Sequence, residues 1–248
     1  MLDKISPDEL VHIKCEVNFH SMLRHPNIIE FMDWILDGDD VYIVLEYAEK
    51  GSVFNYLNIN HPLPEDLARR ILYDTCQAVK YLQSHGLVHR DIKPENLLLD
   101  GQKRVKLCDF GYCSTGEDPG SEFVCGTLEY MPPEVLVNRM FDSSTDVWAL
   151  GVLLYELLHN KEPFKPAEKT KTAMFQCLAT TPLHFRTHCS TSAKKLIERI
   201  LQFSKEARPT LASILADQFF QSNQEKPNTN TNNANTNINA NINSNYKT

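Results

Sequence analysis

The chain has 248 residues, of which 42% are hydrophobic, 9% aromatic and 23% charged, with a net charge of −7. That balance supports a buried core and excludes a collagen-like, wholly disordered or small disulfide-stapled protein. No run of Lys and Arg is dense enough to follow a phosphate backbone, so no nucleic-acid partner is expected, and the acidic surface favours basic partners. The longest apolar stretch, Val147 to Tyr155, is too short for a membrane span, and Met1-Leu2-Asp3-Lys4 lacks the basic and apolar regions of a signal peptide. No membrane partner is expected, and the expected location is intracellular, cytoplasmic or nuclear. The cysteines are odd in number and form no Cys-x-x-Cys pair, which fits reduced thiols better than a disulfide framework or a zinc site.

Ser6-Pro7-Asp8-Glu9 combines a hydroxyl N-cap, a proline at the first helical position and a glutamate three residues after the cap. A helix is predicted from there over Pro7 to Arg24, with Val11, Cys15, Phe19 and Met22 at helical spacing, Glu16 in its interior and His25-Pro26-Asn27 as its stop. Two β-rich segments, Ile28 to Leu36 and Val41 to Leu45, joined by Asp37-Gly38-Asp39-Asp40, predict a hairpin. From Pro64 to His85, the residues Leu67, Ile71, Leu72, Cys76, Val79 and Leu82 trace the stripe of a long amphipathic helix. Short strands are predicted on either side of Asp100-Gly101, followed by helices over Val147–Leu158, Lys171–Leu178, Ser192–Phe203 and Leu211–Phe219. The order reads as an α+β chain with a small β-containing part over residues 1–48 and a larger helical part over 49–222. A tail over 223–248 is excluded from the fold: ten of the 22 residues from Pro227 to Thr248 are Asn, too polar a tract to bury a core.

Between the long helix and the short strands lies His89-Arg90-Asp91-Ile92-Lys93-Pro94-Glu95-Asn96; Asp109-Phe110-Gly111 follows thirteen residues after Asn96, and Pro132-Pro133-Glu134 comes later. A lone Asp on a loop is usually a turn or cap residue, so it is the complete, ordered set that argues for chemistry. The set resembles the protein-kinase signature, and Lys93 resembles its serine/threonine branch. Phosphoryl transfer asks mainly for positioning and charge stabilisation. Asp91 is then the carboxylate that accepts the proton of a substrate hydroxyl, and Lys93 beside it neutralises charge on the transferring group. Asn96 and Asp109 offer the hard oxygens that Mg2+ prefers.

Glu16-Val17, Leu23-Arg24-His25-Pro26-Asn27-Ile28, Leu45-Glu46-Tyr47-Ala48, His89 to Leu99 and Cys125 to Glu134 together most resemble Aurora kinases. The resemblance implies a two-lobed fold, ATP and Mg2+ as cofactors, a protein substrate and an association with the cytoskeleton. It implies that Glu16 pairs with a lysine to position the nucleotide phosphates, that backbone groups of Glu46 and Ala48 hold adenine at a hinge, and that Leu98 lines the pocket floor. His20, Phe31, His89 and Phe110 match positions that stack between the lobes. Thr127 would touch the catalytic loop, Asp146 would cap its backbone, Glu134 would pair with Arg208, and Glu95 would read a basic side chain near the phosphoacceptor.

Two departures qualify the resemblance. The Gly-rich loop and the Val-Ala-Ile-Lys-like lysine that open such domains are not in this sequence, so Glu16 is expected to lack its lysine and the sheet to have an open edge. Phe123 stands where Aurora kinases carry a regulatory threonine, leaving Arg90 to pair with Glu122 or with a phosphorylated Ser121. The expected function is an Aurora-like serine/threonine kinase, impaired in ATP binding and dependent on an activating partner; the alternative is a catalytically inactive pseudokinase serving as an interaction scaffold.

Overall fold

The computed structural model describes residues 12–38, 40–61, 63–115, 126–138, 140–187 and 189–221. The first helix, α1, is helical from 12 and closes in a π-helical turn, Glu16–His20. Its predicted start at Pro7 lies outside the described residues. It ends at His20 rather than Arg24: the amides of Met22 and Leu23 turn to the carbonyls of Phe19 (3.3 Å) and His20 (3.1 Å), three residues back, and leave the helical ladder.

Strands β1 (Phe31–Asp37) and β2 (Asp40–Leu45) form the predicted antiparallel hairpin, with Phe31 opposite Leu45 and Asp37 opposite Asp40. Ile28 and Ile29 are not part of it. Ile28 bridges to Leu107, and the Ile29 amide donates to the Leu107 carbonyl at 2.9 Å, which ties the hairpin's root to the larger helical part. Among the described residues β1 and β2 pair only with each other, and Met32, Trp34, Ile35, Leu36 and Tyr42 stay exposed.

Helix α2 (Val53–Ile59) follows the hairpin, capped by Ser52, whose hydroxyl accepts from the Asn55 amide at 3.2 Å. Helix α3 (Glu65–Ser84) begins with two acids that suit its positive end and buries Ile71, Leu72, Cys76, Val79 and Leu82, the stripe read from the sequence. β3 (Leu87–Val88) pairs with β6 (Ser114–Thr115), and β4 (Leu97–Leu99) with β5 (Val105–Leu107) across the Asp100-Gly101 turn. The remainder is helical: α4 (Pro133–Asn138), α5 (Ser143–His159), α6 (Lys171–Thr180), α7 (Thr191–Ile200), α8 (Leu211–Leu215) and α9 (Gln218–Gln221). The single run predicted over Leu211–Phe219 breaks because Asp217 caps the Phe219 amide at 2.8 Å and pairs with Arg199.

Helix α5 is the axis of the core. It starts with a reciprocal capping box between Asp142 and Thr145, and Thr145 to His159 are all buried, as expected of a helix apolar on every side. It packs between α3 and α7. Gly151 makes the closest approach: a Cβ there would stand 2.6 Å from Ile200 Cγ2. Among the described residues no helix is long and apolar enough to cross a membrane.

Candidate functional site

The loop from His89 to Asn96 is held from below by the core. Asp146, fully buried near the start of α5, accepts the backbone N–H groups of His89 (2.9 Å) and Arg90 (3.0 Å). Burial pushes the Asp146 carboxyl up, opposed chiefly by His89. Arg90 takes a left-handed φ of 69°, and its Nε donates to the Tyr112 carbonyl at 2.5 Å while the guanidinium lies over the Phe141 ring. Such a backbone is strained for a residue with a Cβ, and the Asp146 anchor holds it in place.

The loop presents Asp91, whose carboxylate is filled on both oxygens. Oδ1 accepts the Thr127 amide (3.1 Å) and hydroxyl (2.9 Å); Oδ2 accepts Asn96 Nδ2 (2.9 Å) and Lys93 Nζ (2.7 Å). Lys93 also reaches the Thr127 hydroxyl at 2.9 Å, so Asp91, Lys93, Asn96 and Thr127 form one network. Thr127 comes this close because Gly126 precedes it: at φ 98° a Cβ on residue 126 would lie 2.7 Å from the Arg90 carbonyl.

Asn96 spends its amide nitrogen on the Asp91 carbonyl and carboxylate, both at 2.9 Å, which leaves Oδ1 as an acceptor. Asp109, exposed and at a left-handed φ of 66°, offers a second set of oxygens on the loop after β5. These two side chains fit a hard cation that retains water and phosphate ligands. Phe110 beside Asp109 is fully buried and continues a stack predicted from the sequence: ring centroids lie 5.5 Å apart for Phe31 and His20, 4.5 Å for His20 and Phe110, and 5.1 Å for Phe110 and His89.

Above Asp109 opens a cavity of about 380 Å³ lined by Ile13, Glu16, Ile43, Leu45, Leu98 and Asp109, with His12, Cys108 and Gly111 completing it. The size is that of a small-ligand pocket, with apolar walls and carboxylates at one side. Leu98 is on its wall as expected. Glu46 and Ala48 are not among its lining residues; the Glu46 amide is spent on the Glu30 carbonyl (2.9 Å), and its carboxylate pairs with Lys106 (2.8 Å) away from the cavity. Burial pushes the Cys108 thiol on the cavity wall up to about 12, with Asp109 and Glu16 adding to the effect.

Glu16, expected to lack a partner, has one that sequence reading missed: His20 Nδ1 lies 3.0 Å from Glu16 Oε1. A second group also escaped notice. Glu156 on α5 is buried against the Tyr130 hydroxyl, which donates to its Oε2, and Glu95, Glu129 and Glu162 surround it. Burial pushes its carboxyl up to about 7, opposed by the Tyr130 hydrogen bond and reinforced by those three acids. Only Glu95 was singled out from sequence, since Glu156 sits in an apolar helix where a glutamate carries no local signal. Glu95 itself is exposed, and the expected Glu134–Arg208 pair is present and bidentate at 2.6 and 2.7 Å. Phe123, Glu122 and Ser121 lie outside the described residues.

The family described as "Protein kinase domain" matches residues 2–220. The chain is 35% identical over 234 residues to a protein named Aurora kinase from Debaryomyces hansenii, covering 90% of this chain and 56% of that one. It is 33% identical over 210 residues to Aurora/IPL1-related protein kinase 2 of Caenorhabditis elegans, covering 85% and 68%, and 31% identical over 214 residues to Aurora kinase B of Mus musculus, covering 86% and 61%. The chain thus spans roughly half to two thirds of the length of these curated relatives. With the loop of Asp91, the Asp109-Phe110-Gly111 turn and the Glu134–Arg208 pair all in their geometric places, the chain belongs to the protein kinase domain family and within it resembles the Aurora kinases.

Proposed function

We propose that the protein transfers the γ-phosphate of ATP to serine or threonine in a protein substrate. The observation that carries this reading is the network in which Thr127, Lys93 and Asn96 all converge on the two oxygens of Asp91. Asp91 receives the proton of the substrate hydroxyl, Asn96 holds its carboxylate in line, and Lys93 stands ready to balance charge as it leaves Asp91. Asn96 Oδ1 and Asp109 would hold Mg2+, which supplies charge neutralisation to the phosphates when bound. The cavity lined by Leu98, Ile43 and Leu45 takes the purine, and Glu16 and Asp109 on the same cavity wall face the phosphates.

A basic residue near the phosphoacceptor is supported by the exposed Glu95, with Glu129 and Glu162 contributing acidic charge nearby and the exposed Lys169 reaching Glu129 at 3.6 Å. A non-catalytic scaffold is the second reading, and one observation favours it: among the described residues no lysine or arginine pairs with Glu16. The test is Mg2+-dependent phosphorylation of a serine peptide with upstream arginines, compared with Asp91→Asn and Asp109→Ala. Transfer that both variants lose supports the kinase; nucleotide binding without transfer under all conditions supports the scaffold.

A further inference from the structure

The pair Glu16–His20 carries a proton assignment that its neighbours fix. His20 is fully buried, and its two ring nitrogens face different groups: Nε2 lies 2.7 Å from the Ile29 carbonyl and Nδ1 lies 3.0 Å from Glu16 Oε1. A carbonyl only accepts, so Nε2 bears a hydrogen. Nδ1 then meets a carboxylate, and the contact is attractive only when a proton lies between them. His89 provides the contrast within the same stack. Its Nε2 also faces a carbonyl, that of Cys108 at 3.1 Å, but its Nδ1 accepts the Asp91 amide at 3.3 Å, which requires a bare nitrogen. His89 thus turns Nδ1 to a backbone amide, whereas His20 turns Nδ1 to a carboxyl group.

Phe110 and Phe31 flank the His20 imidazole at 4.5 and 5.5 Å and hold the ring in place. The groups around the pair are the thiols of Cys15 on α1 and of Cys108 and Cys113 beside β5, the carboxylate of Asp109, His89 on the catalytic loop, and Arg90 near Cys15. None of these makes a hydrogen bond to Glu16. Glu16 Oε2 is buried and has no partner among the described residues.

We propose that His20 is the positioning residue for Glu16: a buried imidazole that holds the carboxyl group on the wall of the nucleotide cavity through Oε1 and leaves Oε2 as the acceptor for one further donor. The two residues are four apart in the first helix, the spacing that places side chains side by side on one helix face. Glu16 is therefore fixed without a lysine. This assignment rests on the reading of the cavity as a nucleotide site, but the pair itself is tested separately.

The decisive measurement is a long-range ¹H–¹⁵N correlation spectrum of the histidine rings in the full chain at neutral pH. The Nδ1 signal of His20 should shift in Glu16→Gln while that of His89 stays in place. An unmoved His20 Nδ1 in Glu16→Gln overturns the proposal. In the binding arm, His20→Leu keeps an apolar stack but offers no donor, and affinity for Mg-ATP should fall about tenfold, as for loss of a hydrogen bond to a charged group. His20→Gln, a neutral donor, should restore most of it. Equal affinity in His20→Leu and the unaltered protein overturns the positioning role. Absence of any nucleotide binding by the unaltered chain overturns the function proposed above, and the spectrum still decides the pair.

Discussion

Removing Arg208 should destabilise the helical part more than any other single charge deletion. Its guanidinium, 1% exposed, makes a bidentate pair with Glu134, donates to the carbonyl of Gln202 at 3.0 Å and lies over the Trp148 ring at 4.9 Å. Arg208→Ala strands the Glu134 carboxylate, 12% exposed, without a counter-ion. Breaking one side of a buried pair costs about 3 to 5 kcal/mol. For a domain of this size that corresponds to a fall in melting temperature of about 10 °C. Urea denaturation followed by circular dichroism measures it, with Arg208→Lys as the companion, since lysine keeps the charge and loses the planar fork. The double variant Arg208→Ala with Glu134→Ala should lose less than the sum of the singles, because it removes the orphaned charge. A loss below about 1 kcal/mol for Arg208→Ala, the range of a surface pair, would refute the reading of Glu134–Arg208 as a buried structural pair.

Three further outcomes follow from the same geometry. Glu156 is held at about 7 by burial, so between its unfolded value near 4.5 and about 7 the folded chain keeps a proton that the unfolded chain has released. Stability should therefore fall by about 3 kcal/mol as pH rises through that window, and Glu156→Gln should flatten the profile; parallel profiles by denaturant titration would contradict this. Thr127→Val removes the hydroxyl shared by Asp91 and Lys93 and should lower kcat about tenfold while leaving nucleotide KM nearly unchanged; steady-state kinetics with an unchanged kcat would contradict it. Burial pushes the thiols of Cys76, Cys108 and Cys113 up, the latter two to about 12, so iodoacetamide at neutral pH should leave all three unmodified in the folded chain by peptide mass spectrometry.

The parts of the molecule legible in the sequence are those whose signal is local. The α3 stripe and the loop motifs around Asp91 and Asp109 depend on spacing within a few turns of chain, and they fold as read. Helix α2 was missed because Val53 to Ile59 mixes β-branched, aromatic and Asn residues of weak helix propensity, and only the Ser52 cap and tertiary packing make it helical. Helix α4 was missed because it is a six-residue helix beginning at the second of two prolines. Of the residues singled out in the sequence, Asp91, Lys93 and Asn96 meet in one network, and Asp109 and Leu98 lie on the cavity wall. His20 as the partner of Glu16 depends on the Ile29 carbonyl taking the other ring nitrogen, and Glu156 depends on Tyr130 arriving from a distant turn. The four-residue spacing of Glu16 and His20 was a local signal that could have suggested the pair, whereas Glu156 and Tyr130 lie beyond the reach of a local pattern. Glu46 showed the converse: its family position is intact, yet its side chain is engaged by Lys106 across the hinge.

The most direct test of the account is phosphotransfer by the natural full-length polypeptide, using radiolabelled ATP, Mg2+ and a serine peptide with upstream arginines, beside Asp91→Asn. The account expects phosphoserine from the unaltered protein and a loss of at least about a hundredfold in Asp91→Asn, with an unchanged circular dichroism spectrum. Equal transfer by the two proteins would contradict the role given to Asp91 and with it the assignment of the site.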